Sequence, residues 1–312
     1  MRLILTTILT LGLMAGTAHA EWQPKGPIKL WIGFGAGGGT DSQARALAGE
    51  LEALKGWRII PENKAGGGGA VMAAQLKDVP ADGQTLGMAT NATFDFAMLT
   101  NDSMSMDDFT LITTTAGSQM AILARSDSGW TSLEDVAKAA NSGTTIVWAN
   151  WGEQVQAASE VIARKLGFNV NHLRVKGGKG SMNAIVAKDA NVAWGGGVQR
   201  GLVAAGELVI LASAEQQPLV QAPSGKTLRD YGIDYNLGFQ FVVAGPKGLD
   251  NDVRDTVAKA IAEVLSNPDS KTRKFIEKQY PPAPVLVSGD ALTKQLKANA
   301  EANKELLKAA NQ

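Results

Sequence analysis

The feature that most constrains the fold is a glycine-rich segment that separates a short apolar run from an amphipathic one. Ile28 to Ile32 predict a buried strand, and apolar residues at three- and four-residue steps predict a helix from Ser42 to Lys55. Thr40 or Asp41 is the expected N-cap of that helix. The connecting segment reads Gly33-Phe34-Gly35-Ala36-Gly37-Gly38-Gly39-Thr40-Asp41. Such a turn exposes backbone N–H groups at the positive end of a helix dipole, so it can bind a small anion without Arg or Lys.

The same segment fits two other interpretations. Gly33, Gly35 and Gly38 satisfy the spacing G-x-G-x-x-G, and Glu62 follows at the end of the next predicted strand, which outlines a dinucleotide-binding fingerprint. In a chain with 35 glycines a single match of this kind has low specificity. The segment also fits a plain connection between strand and helix. A P-loop is excluded, because no Gly-Lys-Ser/Thr follows.

The N-terminus predicts export from the cytoplasm. Met1-Arg2 is followed by an apolar run from Leu3 to Leu13 and by the small-x-small site Ala18-His19-Ala20. This pattern is typical of a secretory signal peptide, here residues 1–20 with cleavage after Ala20. The sequence contains no Cys, so neither a disulfide nor a lipid-anchored cysteine is expected. We therefore predict a periplasmic protein.

Composition narrows the classes of function. Lys plus Arg and Asp plus Glu number 30 each, which gives no electrostatic argument for a nucleic-acid partner. His172 is the single histidine after the predicted cleavage site, so a His/Cys metal cluster cannot be assembled. A Ser-His-Asp triad would need His172, which we expect at the surface edge of a strand. We predict no metal, no cofactor and no catalytic residue, although the plentiful carboxylates leave a carboxylate-only hydrolase open.

The remaining chain alternates between strand-like and helix-like segments. Such alternation predicts mainly parallel sheets flanked by helices, and 312 residues suffice for about two domains. The predicted strands are 57–61, 85–90, 111–115, 120–124, 145–149, 173–175, 192–194, 209–212 and 239–244, and the predicted helices are 70–77, 133–140, 155–166, 182–186, 253–265 and 292–309.

A series of short motifs adds a family resemblance. The motifs are Pro27-Ile28-Lys29-Leu30 before the glycine segment, Pro61-Glu62-Asn63-Lys64-Ala65-Gly66-Gly67-Gly68-Gly69, Ala81-Asp82-Gly83-Gln84-Thr85-Leu86, Asp108-Phe109-Thr110, Ser132-Leu133-Glu134-Asp135 and Lys176-Gly177-Gly178. In this order and spacing they resemble the receptors of tripartite tricarboxylate transporters, the Bug family. The resemblance runs from about Pro24 to the C-terminus.

The resemblance implies an α/β periplasmic binding protein of two lobes, each a mainly parallel sheet flanked by helices, with the ligand cleft between them. Lobe 1 would comprise 21–121 plus 242–312, and lobe 2 would comprise 122–241, with crossings near Gln119–Arg125 and Asn236–Val243. The implied function is capture of a small organic carboxylate for the membrane permease subunits of a transporter. The protein would be a monomer and not an enzyme. The alternative is an exported dinucleotide-binding oxidoreductase, which export itself disfavours.

The resemblance also implies the ligand site, held largely by backbone groups and water. The implied residues are Gly37, Gly38, Gly39, Thr40, Asp41, Thr90, Asn91 and Thr93 from lobe 1, and Trp151, Gly152, Glu153, Gln154, Lys176, Gly177 and Gly178 from lobe 2.

This sequence departs from the family pattern at two places near that site. Trp151 stands in a turn where relatives keep small residues, so it either enters the cleft or packs in the core. Trp148 and Trp194 are expected in the core. Gly195-Gly196-Gly197 replaces a strand end where relatives often carry an Asp. That change argues against an amino-acid ligand and predicts room for a bulkier one.

Overall fold

The computed structural model describes residues 21–281 and 284–312, so the predicted signal peptide lies outside the described residues. The strands are β1 (Ile28–Ile32), β2 (Ile59–Asn63), β3 (Thr85–Thr90), β4 (Phe109–Ser118), β5 (Ala121–Arg125), β6 (Ile146–Asn150), β7 (Val170–Arg174), β8 (Val192–Gly195), β9 (Leu208–Ser213) and β10 (Phe239–Pro246). The helices are α1 (Gly39–Lys55), α2 (Ala70–Leu76), α3 (Ala92–Asp95), α4 (Leu133–Asn141), α5 (Glu153–Leu166), α6 (Gly178–Val186), α7 (Arg200–Ala204), α8 (Asn251–Ser266), α9 (Lys271–Gln279) and α10 (Gly289–Ala310).

The strands form two sheets of five, in the orders β2-β1-β3-β10-β4 and β7-β6-β8-β5-β9. In each sheet four strands run in one direction, and the reversed strand is β10 in the first sheet and β5 in the second. We call the first sheet with its helices lobe 1 and the second lobe 2. The predicted architecture, two α/β lobes with mainly parallel sheets, is confirmed.

The chain passes between the lobes twice. Strand β4 of lobe 1 ends at Ser118, and β5 of lobe 2 begins at Ala121. The return lies between Ser213, where β9 ends, and Phe239, where β10 begins. Each reversed strand is therefore the first strand after a crossing. The residue limits of the lobes given above stay a prediction.

Helix α10 contacts both lobes. Leu292 and Leu296 in its first half pack into a hydrophobic cluster of lobe 1, whereas Leu306 belongs to the main cluster of lobe 2. The Arg164 guanidinium on α5 donates a hydrogen bond of 2.9 Å to the carbonyl oxygen of Ala310. The end of a segment assigned wholly to lobe 1 by sequence is thus held by lobe 2.

Each lobe has its own apolar core. In lobe 1 the buried face of α1, which includes Leu47 and Leu51, packs with the inward residues of β1. In lobe 2 the rings of Trp148 and Trp194 stack with centroids 5.2 Å apart, and both side chains are 0% exposed. The core positions predicted for these two tryptophans are confirmed.

Helix α9 is absent from the sequence-based prediction. Its sequence, KTRKFIEKQ, is mostly polar, and it buries Thr272 and Ile276. Its N-terminus is capped from a distance: the Glu50 carboxylate on α1 accepts hydrogen bonds from the Lys271 N–H at 2.7 Å and the Thr272 N–H at 2.9 Å. This helix positions residues of the cleft, as shown below.

Within the part of the chain that the structure describes, none of the helices is long and apolar enough to cross a membrane.

Candidate functional site

The glycine segment ends in helix α1, which begins earlier than predicted. Its first residue is Gly39 and its N-cap is Gly38, which has an extended backbone (φ −80°, ψ 175°). The predicted N-cap role of Thr40 or Asp41 is therefore wrong, because both residues lie inside the first turn. The Asp41 carboxylate instead reaches back and accepts the N–H of Gly37 at 2.8 Å. Gly37 has a φ of +70°, a conformation that favours glycine.

Asp41 is the centre of a network that shapes this loop. Its Oδ1 accepts hydrogen bonds from Asn63 Nδ2 at 2.8 Å and from Arg45 Nε at 2.9 Å. Asn63 Nδ2 also donates to the carbonyl oxygen of Phe34 at 3.0 Å, which ties the loop to the end of β2. Burial favours a higher pKa for Asp41, but the hydrogen bonds from Gly37 and Asn63 and the charge of Arg45 outweigh it and lower that pKa. Asp41 is thus ionised and holds the loop from within.

The first turn of α1 presents three free backbone donors. The N–H groups of Gly39, Thr40 and Asp41 precede the first intrahelical hydrogen bond, which runs from the Ser42 N–H to the Gly38 carbonyl. Across residues 21–281 and 284–312 no acceptor pairs with these three groups. Together with the dipole of a 17-residue helix they form a positive, donor-rich surface.

A second helix N-terminus faces the first from lobe 2. Helix α6 begins at Gly178, and its N-cap Gly177 has a φ of +94°. The lobes touch at this point, because the Gly35 N–H donates to the carbonyl oxygen of Lys176 at 3.3 Å. Helix termini from both lobes therefore border one space, which we call the cleft cavity.

The cleft cavity has a volume of about 40 Å³. It brings together eight of the predicted site residues, namely Gly38, Gly39, Thr40, Thr90, Trp151, Lys176, Gly177 and Gly178. Among the described residues that line it there is no carboxylate, and the one cationic residue is Lys176. The electrostatic character of the cavity suits an anion.

A second chamber of about 140 Å³ adjoins the cleft cavity and shares Thr90 and Trp151 with it. The predicted residues Gly152, Glu153 and Gln154 line this chamber, opposite Gly67 and Gly68 of lobe 1. The lobes meet closely here, since a Cβ atom added to Gly152 would lie 3.0 Å from the Gly68 Cα.

Trp151 occupies both of its predicted positions, the cleft and the core. Its side chain is partly buried and packs against hydrophobic clusters of both lobes. It also lines both the cleft cavity and the second chamber. Trp151 is therefore a wall residue between the lobes, with one part in each core and another in the cleft.

Four predicted site residues lie outside both cavities: Gly37, Asp41, Asn91 and Thr93. Gly37 and Asp41 shape the loop as described. Asn91 accepts the Gln240 N–H through Oδ1 at 2.8 Å and donates to Asp95 at 2.9 Å, and Thr93 Oγ1 donates to the Gly68 carbonyl at 2.7 Å. In this structure these contacts position the surrounding backbone, and ligand contact by the four residues stays a prediction.

A buried polar network connects this region to α10. Burial raises the pKa of Asp95 to about 6, although Asn91, Asn299 and Asn303 donate hydrogen bonds that oppose the shift. Asn303 on α10 also accepts a hydrogen bond from Gln154 Nε2 at 3.0 Å. The network therefore joins α3 of lobe 1, α10 and the start of α5 of lobe 2.

The aromatic wall of the cleft cavity was missed by sequence reasoning. Phe239 and Phe241 on β10 and Tyr280 after α9 line the cavity together with the helix termini. A Cβ atom on Gly196 would lie 2.5 Å from the Phe239 ring, and one on Gly197 would lie 2.3 Å from the Tyr280 ring. The prediction that these glycines leave room for a bulkier ligand is therefore wrong, because aromatic rings fill that space.

The residues that suggested other chemistries have structural contacts. His172 lies within edge strand β7, where its Nδ1 is 2.9 Å from Asn150 Nδ2. Glu62 accepts a hydrogen bond from Trp31 Nε1 at 3.2 Å. Among the residues that the structure covers, no group of three His, Cys, Asp or Glu side chains is placed to bind a metal.

Comparisons with known proteins agree with this geometry. The family described as tripartite tricarboxylate transporter family receptor matches residues 43–311. The "UPF0065 protein in gbd 5'region" of Cupriavidus necator is 26% identical over 273 residues, which cover 85% of this chain and 82% of that protein.

Solved structures show the same fold. The periplasmic binding protein BugD is 22% identical, with a TM-score of 0.82 over 93% of this chain and 99% of that chain. A protein of R. palustris solved with adipate is 19% identical, with a TM-score of 0.79 over 92% of this chain and 98% of that chain. Nothing in these comparisons supports the oxidoreductase alternative. The family predicted from the motifs is confirmed: the chain belongs to the receptors of the tripartite tricarboxylate transporter family.

Proposed function

We propose that this protein captures a small organic carboxylate in the cleft cavity and presents it to the membrane permease of a tripartite tricarboxylate transporter. The observation that carries the proposal is the convergence of two helix N-termini, α1 and α6, on one cavity without a carboxylate in its described lining. Membership of the receptor family supports the same assignment. The protein acts as a receptor and not as an enzyme.

The free donors of α1 explain how the anion is held. The N–H groups of Gly39 and Thr40 donate to the carboxylate oxygens, and the start of α6 contributes from the other lobe. Hydrogen bonds to a charged acceptor are stronger than neutral ones, so backbone donors suffice for binding without a buried Arg.

Binding requires the lobes to separate and close again. A cavity of about 40 Å³ holds only a few water molecules, so the ligand enters an open form. The two chain crossings then serve as the hinge, and contacts such as that between Gly35 and Lys176 form on closure. The closed receptor offers one continuous surface to the permease.

The proposal includes the cellular setting predicted from the sequence. Residues 1–20 direct export and are removed after Ala20, and the receptor works in the periplasm as a monomer. The lobes divide near the predicted limits of 121/122 and 241/242, with all of β5 in lobe 2 and all of β10 in lobe 1. N-terminal sequencing of protein from a periplasmic extract tests the cleavage site, and a mature chain that still begins at Met1 contradicts it.

Thermal melting and calorimetric titration test the ligand class. The panel contains malate, succinate and adipate, with NAD and putrescine as non-carboxylate and cationic comparisons. A carboxylate present at one hundred times its Kd should stabilise the protein by about 2.7 kcal/mol. Stabilisation by NAD or putrescine, and by none of the carboxylates, would overturn the proposal.

A matched pair of variants locates the site. Gly38 lines the cleft cavity with an ordinary φ, so Gly38→Val is compatible with the backbone dihedrals, although its Cβ would lie 3.2 Å from the Gly35 carbonyl oxygen. The change places a branched side chain before the free N–H groups. Gly49→Val makes the same change on the same helix, where a Cβ atom meets nothing within 4 Å. Carboxylate binding should fall sharply in the first variant and persist in the second. Equal binding by both folded variants would show that the loop is only a connector.

A further inference from the structure

The aromatic wall of the cleft cavity contains one polar atom that the binding scheme above does not use, the hydroxyl of Tyr280. Tyr280 follows α9, far along the chain from the glycine segment, yet it is 2% exposed and lines the cavity beside Gly39. A Cβ atom on Gly39 would lie 1.6 Å from the Tyr280 hydroxyl oxygen. The hydroxyl thus occupies the space directly over the first residue of α1.

The ring of Tyr280 is fixed on all sides. It packs against Phe241 with centroids 4.9 Å apart and against Phe275 at 6.0 Å. On the lobe 2 side, the edge of the Tyr280 ring lies against Gly197, where a side chain would collide with it. The preceding residue, Gln279, donates from Nε2 to the Gly197 carbonyl at 2.7 Å. Because the ring is fixed in this way, the hydroxyl points toward the start of α1.

This hydroxyl has no hydrogen-bond partner in the described parts of the chain, and burial alone raises the pKa of Tyr280. The other buried tyrosine of comparable exposure, Tyr231, accepts the Leu133 N–H at 3.3 Å. A hydroxyl that lines a cavity without a protein partner is available to donate to a bound ligand. At Tyr280 the unpaired hydroxyl borders the same cavity as Gly39 and Thr40, two of the α1 residues with unpaired N–H groups.

We propose that Tyr280 is a ligand-binding residue whose hydroxyl donates a hydrogen bond to the carboxylate held at the start of α1. The carboxylate then receives donors of two kinds, backbone N–H groups from α1 and a side-chain O–H from the segment after α9. Because the phenol stays protonated, it remains a donor throughout the physiological pH range. The inference rests on the proposed function and names a residue that recognises the shared carboxylate group of its ligands.

The test compares two single-atom deletions. Tyr280→Phe removes only the hydroxyl and keeps the packed ring, whereas Tyr231→Phe removes a hydroxyl that has a backbone partner in lobe 2. Calorimetry with malate, succinate and adipate should show that Kd rises about tenfold to a hundredfold in Tyr280→Phe, the loss expected for a hydrogen bond to a charged group. The factor should be alike for every acid of the panel that binds, because these acids share the carboxylate. Kd should not change in Tyr231→Phe.

Melting without ligand supplies a second measurement. Tyr280→Phe should melt at the temperature of the wild type or above it, since an unpaired polar group is lost, while Tyr231→Phe should melt lower. An unchanged Kd in Tyr280→Phe overturns the inference and leaves the proposed function intact. A lower ligand-free melting temperature in Tyr280→Phe also overturns it, because the hydroxyl would then have a structural partner. If the wild type binds no acid of the panel, the proposed function fails and this inference fails with it.

Discussion

The Asp41 network makes a quantitative prediction about the glycine loop. The change Asp41→Asn preserves size but replaces one acceptor oxygen with an NH₂ group. In the wild type Oδ2 accepts the Gly37 N–H, and Oδ1 accepts Asn63 Nδ2 and Arg45 Nε. The NH₂ group of the new amide faces a donor in either orientation. If it replaces Oδ2, the hydrogen bond from Gly37 is lost; if it replaces Oδ1, the hydrogen bonds from Asn63 and Arg45 are lost.

The magnitude follows from these contacts. The bond from the Gly37 N–H joins a buried carboxylate to a neutral donor, and such a bond contributes about 1.5–3 kcal/mol. The side chain of Arg45 is 47% exposed, so its ion pair with Asp41 adds only a few tenths of a kcal/mol. We expect Asp41→Asn to lower the free energy of unfolding by about 2–3 kcal/mol at pH 7 and to weaken binding of malate, succinate or adipate.

The pH dependence of urea unfolding provides the assay. The pKa of Asp41 is lower in the folded protein than in the unfolded chain, so its contribution is complete above the unfolded value and is lost as pH falls through the folded one. The difference between wild type and Asp41→Asn should therefore be constant near neutrality and shrink below about pH 4. The control is Asp255→Asn, which removes a carboxylate 2.7 Å from Arg254 Nε at the surface.

The control should change stability by less than about 0.5 kcal/mol. The reasoning is refuted if Asp41→Asn unfolds and binds carboxylates as the wild type does, or if its deficit persists unchanged at pH 3.

Three further changes test other parts of the structure. Trp151→Ala should lower the free energy of unfolding by less than a fully buried aromatic does, for which the loss is about 3–5 kcal/mol, because Trp151 is partly buried. It should also weaken carboxylate binding and abolish part of the ligand-induced fluorescence change. Unchanged binding contradicts its place in the cleft wall. Asn303→Asp places a second carboxylate beside buried Asp95, whose pKa is already raised to about 6. Urea unfolding should show a larger loss of stability at pH 8, where both carboxylates are charged, than at pH 5, where the pair shares a proton. An equal loss at both pH values argues against the buried pair. Glu50→Gln should lower the free energy of unfolding by about 1–2 kcal/mol and increase amide hydrogen exchange in α9, because Glu50 accepts the N–H groups at the start of that helix; unaltered exchange there would contradict this capping.

Local signals in the sequence predict the frame of the fold well. The limits predicted for β1 are those observed, because its apolar residues and the following glycines are a strong local pattern. Helix α9 shows the opposite case. Its sequence is polar, and the carboxylate that caps it belongs to Glu50, 220 residues earlier than Ser270. The N-cap Ser270, which accepts the Arg273 N–H at 3.0 Å, is a local signal, but the additional capping by Glu50 cannot be found in the neighbouring sequence.

The same distinction explains the candidate site. Backbone donors at a strand–turn–helix junction are visible in the sequence, so Gly38, Gly39 and Thr40 were predicted and line the cavity. The glycines at 196 and 197 show where a side chain is missing but not what fills the space. Phe239 fills it from β10, which the topology inserts next to β3, and Tyr280 fills it from the segment after α9.

Helix α10 has a mechanical consequence for the receptor. A body attached to another at two points rotates about the line through those points, and the two chain crossings are such points. Helix α10, 22 residues or about 33 Å long, adds a third attachment because Leu292 is anchored in lobe 1 and Leu306 in lobe 2. When the lobes separate as proposed, one end of α10 has to move relative to the lobe that it contacts. The stiffness of the hinge is therefore set partly by residues that never touch the ligand.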